Sequence, residues 1–300
     1  MKLLALLIGL LVERLATKLF HLRDLRWLDR LIDFGFRQGD RIATWPAMIP
    51  VIVLVLALIA PVFLIRFGVG EIWFGFLYMI LAIIILFFSF GPKDIGEDVE
   101  DYCRAIEDDD AEQIRISAKR LSETDLPEDE MERIRMVEES VCIQANNRLF
   151  AIVFWFVLLG PVGAWAYRVT DLIRRRAVFN MLCDDLSDLR MVSASETLHG
   201  WLAWIPARLT AAGYAMAGSF DGALHAWRST DQTETVTYHE QSERLLARVG
   251  TGALALPELP GESVADRGVR GATAANGLVM RLLFIWAVAI AAMTLYGWSV

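Results

Sequence analysis

Three runs along the chain have no polar face. Residues 46–66, PAMIPVIVLVLALIAPVFLIR, carry no charge before Arg66. At about 1.5 Å per helical residue such a run reaches about 30 Å, the thickness of a bilayer core. Residues 71–90 are a second run of this kind, separated from the first only by Phe67-Gly68-Val69-Gly70. Together they predict a two-span transmembrane hairpin over 46–90. A third run, centred on LLFIWAVAIAAMTLYGW, predicts a C-terminal transmembrane helix over 278–300.

Between these runs the apolar positions recur at helical spacing. Val99, Tyr102, Cys103 and Ile106 fall at i, i+3, i+4 and i+7, as do Ala111, Ile114, Ala118 and Leu121. Asp108-Asp109-Asp110 marks a turn between the two helices. A third helix is expected from about Pro127 to Ile143, with Glu128, Asp129 and Glu130 suited to its first-turn dipole. Residues 91–148 are thus read as an acidic helical soluble module. Residues 1–45 are read as an N-terminal apolar helix followed by a basic interfacial region. Residues 168–277 open with a helix whose expected apolar stripe is Leu172, Phe179, Leu182, Leu186 and Leu189. A tryptophan-rich interfacial stretch follows, LHGWLAWIPARLTAAGYAMAG, and then a Gly/Pro-punctuated connector over 250–277. No strand pattern and no internal repeat is visible.

One apolar segment behaves differently. Residues 149–167 are long enough to cross a membrane, but Gly160-Pro161 and Gly163 weaken the middle, and Asn146-Asn147-Arg148 stand at the mouth. The segment is read as broken or re-entrant, with a plain kinked span as the alternative. Charge bears on the choice. Residues 13–45 hold seven Lys or Arg, which places them in the cytoplasm by the positive-inside rule. A two-span hairpin returns the chain to that side at Gly91. A full crossing at 149–167 would put Arg174-Arg175-Arg176 outside, whereas a re-entrant segment keeps them inside.

Composition agrees with an all-α integral membrane protein: a helical bundle with cytoplasmic-facing helical regions and one broken or re-entrant helix. The chain is 55% hydrophobic and 22% charged, too apolar for an ordinary soluble domain and too charged for a bare bundle of spans. Residues 91–148 hold eighteen acidic against eight basic residues, a net of −10 where the whole chain has −8. That balance argues against a nucleic-acid partner and leaves membrane lipid as the expected one. Cys103, Cys142 and Cys183 stand apart from one another, which fits a reducing compartment. The four histidines are scattered, and no metal site follows from them. No phosphate-cradling glycine loop and no nucleophile elbow is present.

The candidate chemistry is therefore polar groups set against apolar surface, where desolvation is costly without a partner or a task. Glu13 and Arg14 follow the first hydrophobic helix. Glu139, Asn146, Asn147 and Arg148 lie on the approach to the broken segment, and Arg208 stands two residues after Pro206.

The order EESVCIQANNRLFAIVFWFVLLGPVGAWAYR, with LAWIPARLTA at a distance, resembles the membrane family that joins AmpE proteins with the cobinamide-phosphate synthases. In the synthases a Glu-Ser-x-x-x-Asn element precedes a Phe-Trp-containing run. A Gly-x-x-Gly-Ala-x-x-Tyr-Lys turn and an Asn-Trp-Ile-Pro-Ala-Arg-Leu motif come later. Glu139-Ser140 and Asn146-Asn147 fill the first of these. Gly160, Gly163, Ala164, Tyr167 and Arg168 fill the turn, and Trp204 to Leu209 the last. The synthases' polar Gly-Tyr-Lys-Asn-Glu-Arg-Tyr stretch is missing, and Asp184-Asp185 stand too early for the expected acidic pair. The opening Leu-Leu-Val-Glu-Arg-Leu at residues 10–15 looks like AmpE instead. The AmpE resemblance implies an inner-membrane modulator of β-lactamase induction, linked to a cell-wall recycling amidase, with a small ligand sensed at the membrane face. The synthase resemblance implies a membrane-bound amide-forming ligase using ATP and Mg²⁺, with Glu139 and Asn146 near the nucleotide and Arg208 countering phosphate charge.

Overall fold

The computed structural model describes residue 6 and residues 25–41, 46–69, 76–90, 94–122, 126–183, 189–229 and 237–296. Among them every regular element is helical. An amphipathic helix α1 (Arg26–Arg41) buries Leu28, Ile32 and Phe36 and leaves Trp27, Leu31 and Phe34 exposed. It packs on α2 (Met48–Val69), which precedes α3 (Phe76–Ser89). The acidic module is α4 (Ile95–Glu107), α5 (Ala111–Ser122) and α6 (Glu130–Ala145). Asp94 caps the first and Asp129 the third, each accepting a backbone N–H of the first turn. Both helices lie close to their expected bounds.

Helix α6 does not stop at the end of the module. One turn of π-helix, Asn146–Phe150, carries it into α7 (Ala151–Leu159). There the chain folds back at Gly160, whose φ of 72° and ψ of −157° only glycine adopts without strain. Pro161, with no N–H to leave unsatisfied, opens α8 (Pro161–Cys183). A Cβ at Gly163 would collide with the Trp155 carbonyl, so the two legs need a bare backbone where they meet. The legs meet again further down: the Tyr167 hydroxyl donates to Asn147 Oδ1 at 3.3 Å and Arg175 Nη2 to Gln144 Oε1 at 3.1 Å. The segment 149–167 is therefore broken at its middle, as its glycines predict.

The remaining helices are α9 (Leu189–Ala217), α10 (Phe220–Ser229), α11 (Tyr238–Leu254) and α12 (Val264–Leu295). Helix α12 starts well before the expected span. Ser263 caps it, and Gly268 and Gly271 lie within the helix, where Ile106, Ile134 and Glu138 pack against their bare faces. The Gly/Pro connector shrinks to the loop around Pro257, Pro260 and Gly261. The stripe expected on α8 also differs. Val169, Ile173 and Ala177 face the core, while Phe179 and Leu189 are exposed.

Among the described residues, three helices are long and apolar enough to cross a membrane, Met48–Ile65, Glu130–Leu159 and Val264–Leu295, and Tyr78–Ser89 is a shorter apolar helix. In the apolar 18-residue stretch of each, 11% and 22% of the residues of the first and third are buried, against 72% in the second. Helices α2 and α12 thus turn apolar surface outward, and α6–α7 forms the centre of an all-α membrane helical bundle.

Candidate functional site

The π turn decides what the centre contains. A single wide turn shifts the register of a helix by one residue, and such turns concentrate where side chains are being re-aimed. Here Asn146, Asn147 and Arg148 are all buried together. Asn147 Oδ1 accepts from Asn146 Nδ2 at 3.1 Å as well as from Tyr167, and Asn146 Oδ1 accepts from the Thr210 hydroxyl at 3.0 Å. The Nδ2 of Asn147 is enclosed and has no hydrogen-bond partner among the described residues. Arg148 runs the other way. Its Nη1 donates to Asp98 Oδ2 at 2.9 Å, its Nε to Gln144 Oε1 at 3.0 Å and its Nη2 to the Arg120 carbonyl. It locks the acidic module to the hairpin and does not snorkel to a surface.

Gln144 joins this bridge to a second cluster on α8. Asp171, fully enclosed, receives Arg168 Nη1 at 3.1 Å, Arg174 Nη2 at 3.1 Å and Arg175 Nε at 2.8 Å. The three guanidinium groups and the nearby His199 ring compensate the burial of this carboxylate. The His199 Nε2 lies 3.7 Å from Asp171 Oδ1, and the ring stacks at a tilt on Tyr167. On the far side His199 Nδ1 faces His239 Nδ1 at 3.3 Å, and His239 Nε2 lies 3.4 Å from Glu243 Oε1. The contact between the two Nδ1 atoms uses one proton, so the tautomers of the two rings are coupled. Burial and then the Arg174 charge push His239 down to about 4 and His199 below its ordinary value. A Cβ on Gly200 would press into the His239 backbone, so α9 and α11 touch at this pair.

The result is a continuous polar seam through an apolar bundle, from Asp98 through Arg148, Gln144, Arg175, Asp171 and His199 to His239 and Glu243. Such a seam fixes side-chain positions and offers oriented donors and acceptors to a polar guest. Sequence reasoning singled out Arg148, which lies in the seam, and Asn146 and Asn147, which adjoin it through Tyr167, but missed Asp171, Gln144, His199 and His239. One signal was available: Asp171 has arginines at −3, +3 and +4, the spacings that meet on one helix face. The triplet Arg174-Arg175-Arg176, read as a topological marker, is in fact ion-paired, with Arg176 held by Asp33 of α1 at 2.6 Å.

The other expected residues lie apart. Glu139 is half-buried on the face of α6 near Arg135 and Arg248, whereas its neighbour Glu138 is buried against Arg267. Arg208 is on a different face of α9 from Thr210, stacked 3.8 Å over Trp204. Glu13 and Arg14 fall outside the described residues. A surface cleft of about 600 Å³ between α4 and α12, lined by Glu107, Glu262, Asp266 and Arg270, includes none of the seam.

The seam does not fit the Mg²⁺ that the synthase resemblance implies. Its buried carboxylates Asp98 and Asp171 each face arginine, as does Glu138, and no group of three His, Cys, Asp or Glu among the described residues could hold a metal.

Two relatives are each 26% identical to the chain. One is "Cobalamin biosynthesis protein CobD" of Chromobacterium violaceum, over 179 residues, 59% of this chain and 55% of the relative. The other carries the same description in Stutzerimonas stutzeri, over 178 residues, 57% of this chain and 54% of the relative. The chain thus spans about half the length of the curated relatives it matches. No solved structure matches it. The family model described as "Regulatory signalling modulator protein AmpE" matches residues 1–300 from end to end, and the chain belongs to the AmpE family.

Proposed function

We propose that this chain is a multi-pass protein of the bacterial inner membrane that modulates β-lactamase induction in step with cell-wall recycling. The single observation that carries the reading is the family match over the whole chain. The buried seam adds a place where a small polar ligand could be sensed: Asn147 Nδ2 and the ring of His199 are enclosed donors and acceptors beside Tyr167. The partner this reading names is a cell-wall recycling amidase. The Arg176–Asp33 pair supports the topology, because it holds the end of α8 to the basic helix α1 on one side of the bundle.

The test is genetic. Deleting the gene should change β-lactamase induction by a β-lactam, and the wild-type chain should restore it, while Asn147→Ala should restore it only in part. Unchanged induction on deletion would sink the reading.

A second reading follows from the CobD relatives: an amide-forming ligase that uses ATP. It has 26% identity over half of each relative in its favour. Against it stand the misfit of the seam to Mg²⁺ and the missing polar stretch. A deletion strain that loses cobalamin synthesis, or ATP·Mg²⁺ binding abolished by Asn146→Ala, would favour it over the regulatory reading.

A further inference from the structure

Arg208 has no carboxylate partner among the described residues. Its Nη1 donates to the Trp204 carbonyl at 3.0 Å and its Nη2 to Gln241 Oε1 at 3.2 Å, and its guanidinium carbon lies 3.8 Å from the centroid of the Trp204 ring. Both bonds are to neutral acceptors, so a full positive charge is left on the outside of the bundle. The surface around it is apolar: Trp201 is 52% exposed and Ile205 47%, with Trp204 and Leu209 exposed beside them. The neighbouring helix α11 presents charged groups instead, with Arg244 paired to Glu240 at 2.5 Å one turn from Gln241. Arg208 thus stands on the seam between an apolar face and a charged one. Exposed tryptophans beside a cation without a carboxylate partner are the grouping found where headgroups meet acyl chains, and there a cation meets phosphate.

We propose that the Trp201–Trp204–Arg208 face of α9 is a docking site for one anionic phospholipid, with its phosphate on the Arg208 guanidinium and its acyl chains along Ile205 and Leu209. The Trp204 contact and the Gln241 bond hold the guanidinium in place, which leaves its outer N–H edge for two phosphate oxygens. The inference needs only the membrane placement of α9 and is independent of β-lactamase regulation.

The full chain, purified in detergent, is offered phosphatidylglycerol or phosphatidylcholine and the retained lipid is counted by native mass spectrometry. Wild type should retain phosphatidylglycerol preferentially. Arg208→Gln should lower that retention about fivefold, the worth of one interfacial arginine, and Arg208→Lys should lose less. Equal retention of the two lipids by wild type overturns the proposal without any variant. So does undiminished phosphatidylglycerol retention in Arg208→Gln. Displacement of the lipid by millimolar inorganic phosphate, with phosphate alone bound in an Arg208-dependent way, also overturns it, because the site would then serve a soluble anion.

Discussion

At the scale of single residues, the imidazole of His239 ties stability to pH. The folded chain keeps it neutral down to about 4, because burial and then Arg174 disfavour the cation even with Glu196, Asp171 and Glu240 opposing. The unfolded chain takes up a proton near 6.5. Between those values the unfolded state binds more protons, so stability falls as pH drops from 6.5 to 4 and levels off below. The full effect is about 3 kcal/mol, and His199 acts in the same direction. Thermal melts in detergent from pH 7 to pH 4 should show the loss, and His239→Gln should flatten it. A melt equally steep in that variant would contradict the assignment. Asp171 sets a second expectation. Asp171→Asn leaves three arginines facing a neutral amide, and breaking a buried pair of this kind costs about 3–5 kcal/mol. The exposed Arg104–Glu100 pair offers the contrast, since Glu100→Gln should cost less than about 0.5 kcal/mol. Equal melting shifts for the two variants would mean that the arginine cluster carries no structural weight.

At the scale of helices, the turn at Gly160 separates two kinds of glycine. Gly160→Ala forces a side chain into a backbone conformation reserved for glycine and brings its Cβ within 3.1 Å of the Tyr78 hydroxyl, at a cost of about 2 kcal/mol or more. Gly277 lies inside α12 with open space around it, so Gly277→Ala should stabilise by about 0.5–1 kcal/mol. Opposite shifts in melting temperature check both, and shifts of one sign would refute the distinction. These helices also mark how far the sequence could be read. The apolar runs, the acidic caps and the Gly-Pro break were legible because each is a local preference written in adjacent residues. Helix α12 was cut short because Gly268 and Gly271 read as breakers, when they are contact points for Ile134 and Glu138 from a distant segment. The π turn had no local signal, since one added residue in a helix looks like any other helical residue. His199 and His239 are 40 positions apart, and only the packing of α9 on α11 makes them a pair. Local physics showed the mouth of the site, and tertiary packing alone showed its depth.

At the scale of the whole molecule, the folded-back α7–α8 pair carries an expectation about which surfaces share a side of the membrane. Helices α7 and α8 fold back on one another, and α8 reaches α1 through Arg176 and Asp33, while the turn of the hairpin expected over 46–90 lies outside the described residues. If the positive-inside rule holds for residues 13–45, the acidic module, the end of α10 and the loop before α12 are expected on the cytoplasmic side. On that expectation α12 crosses last and Tyr296 emerges on the far side. The buried arginines do not disturb this order, because Asp171 and Asp33 already compensate them and they need no aqueous cytoplasm of their own. The expectation can be read with single cysteines in a chain from which Cys103, Cys142 and Cys183 have been replaced. Asp109→Cys, Ser229→Cys and Glu258→Cys, all at exposed positions, should resist an impermeant maleimide in intact spheroplasts and react in inverted vesicles. Tyr296→Cys should do the reverse. Reaction of Ser229→Cys in intact spheroplasts alongside a protected Asp109→Cys would mean that the chain crosses once between them. The Gly160 turn would then be a kink within an odd number of crossings, and the seam beneath it would face the outer leaflet.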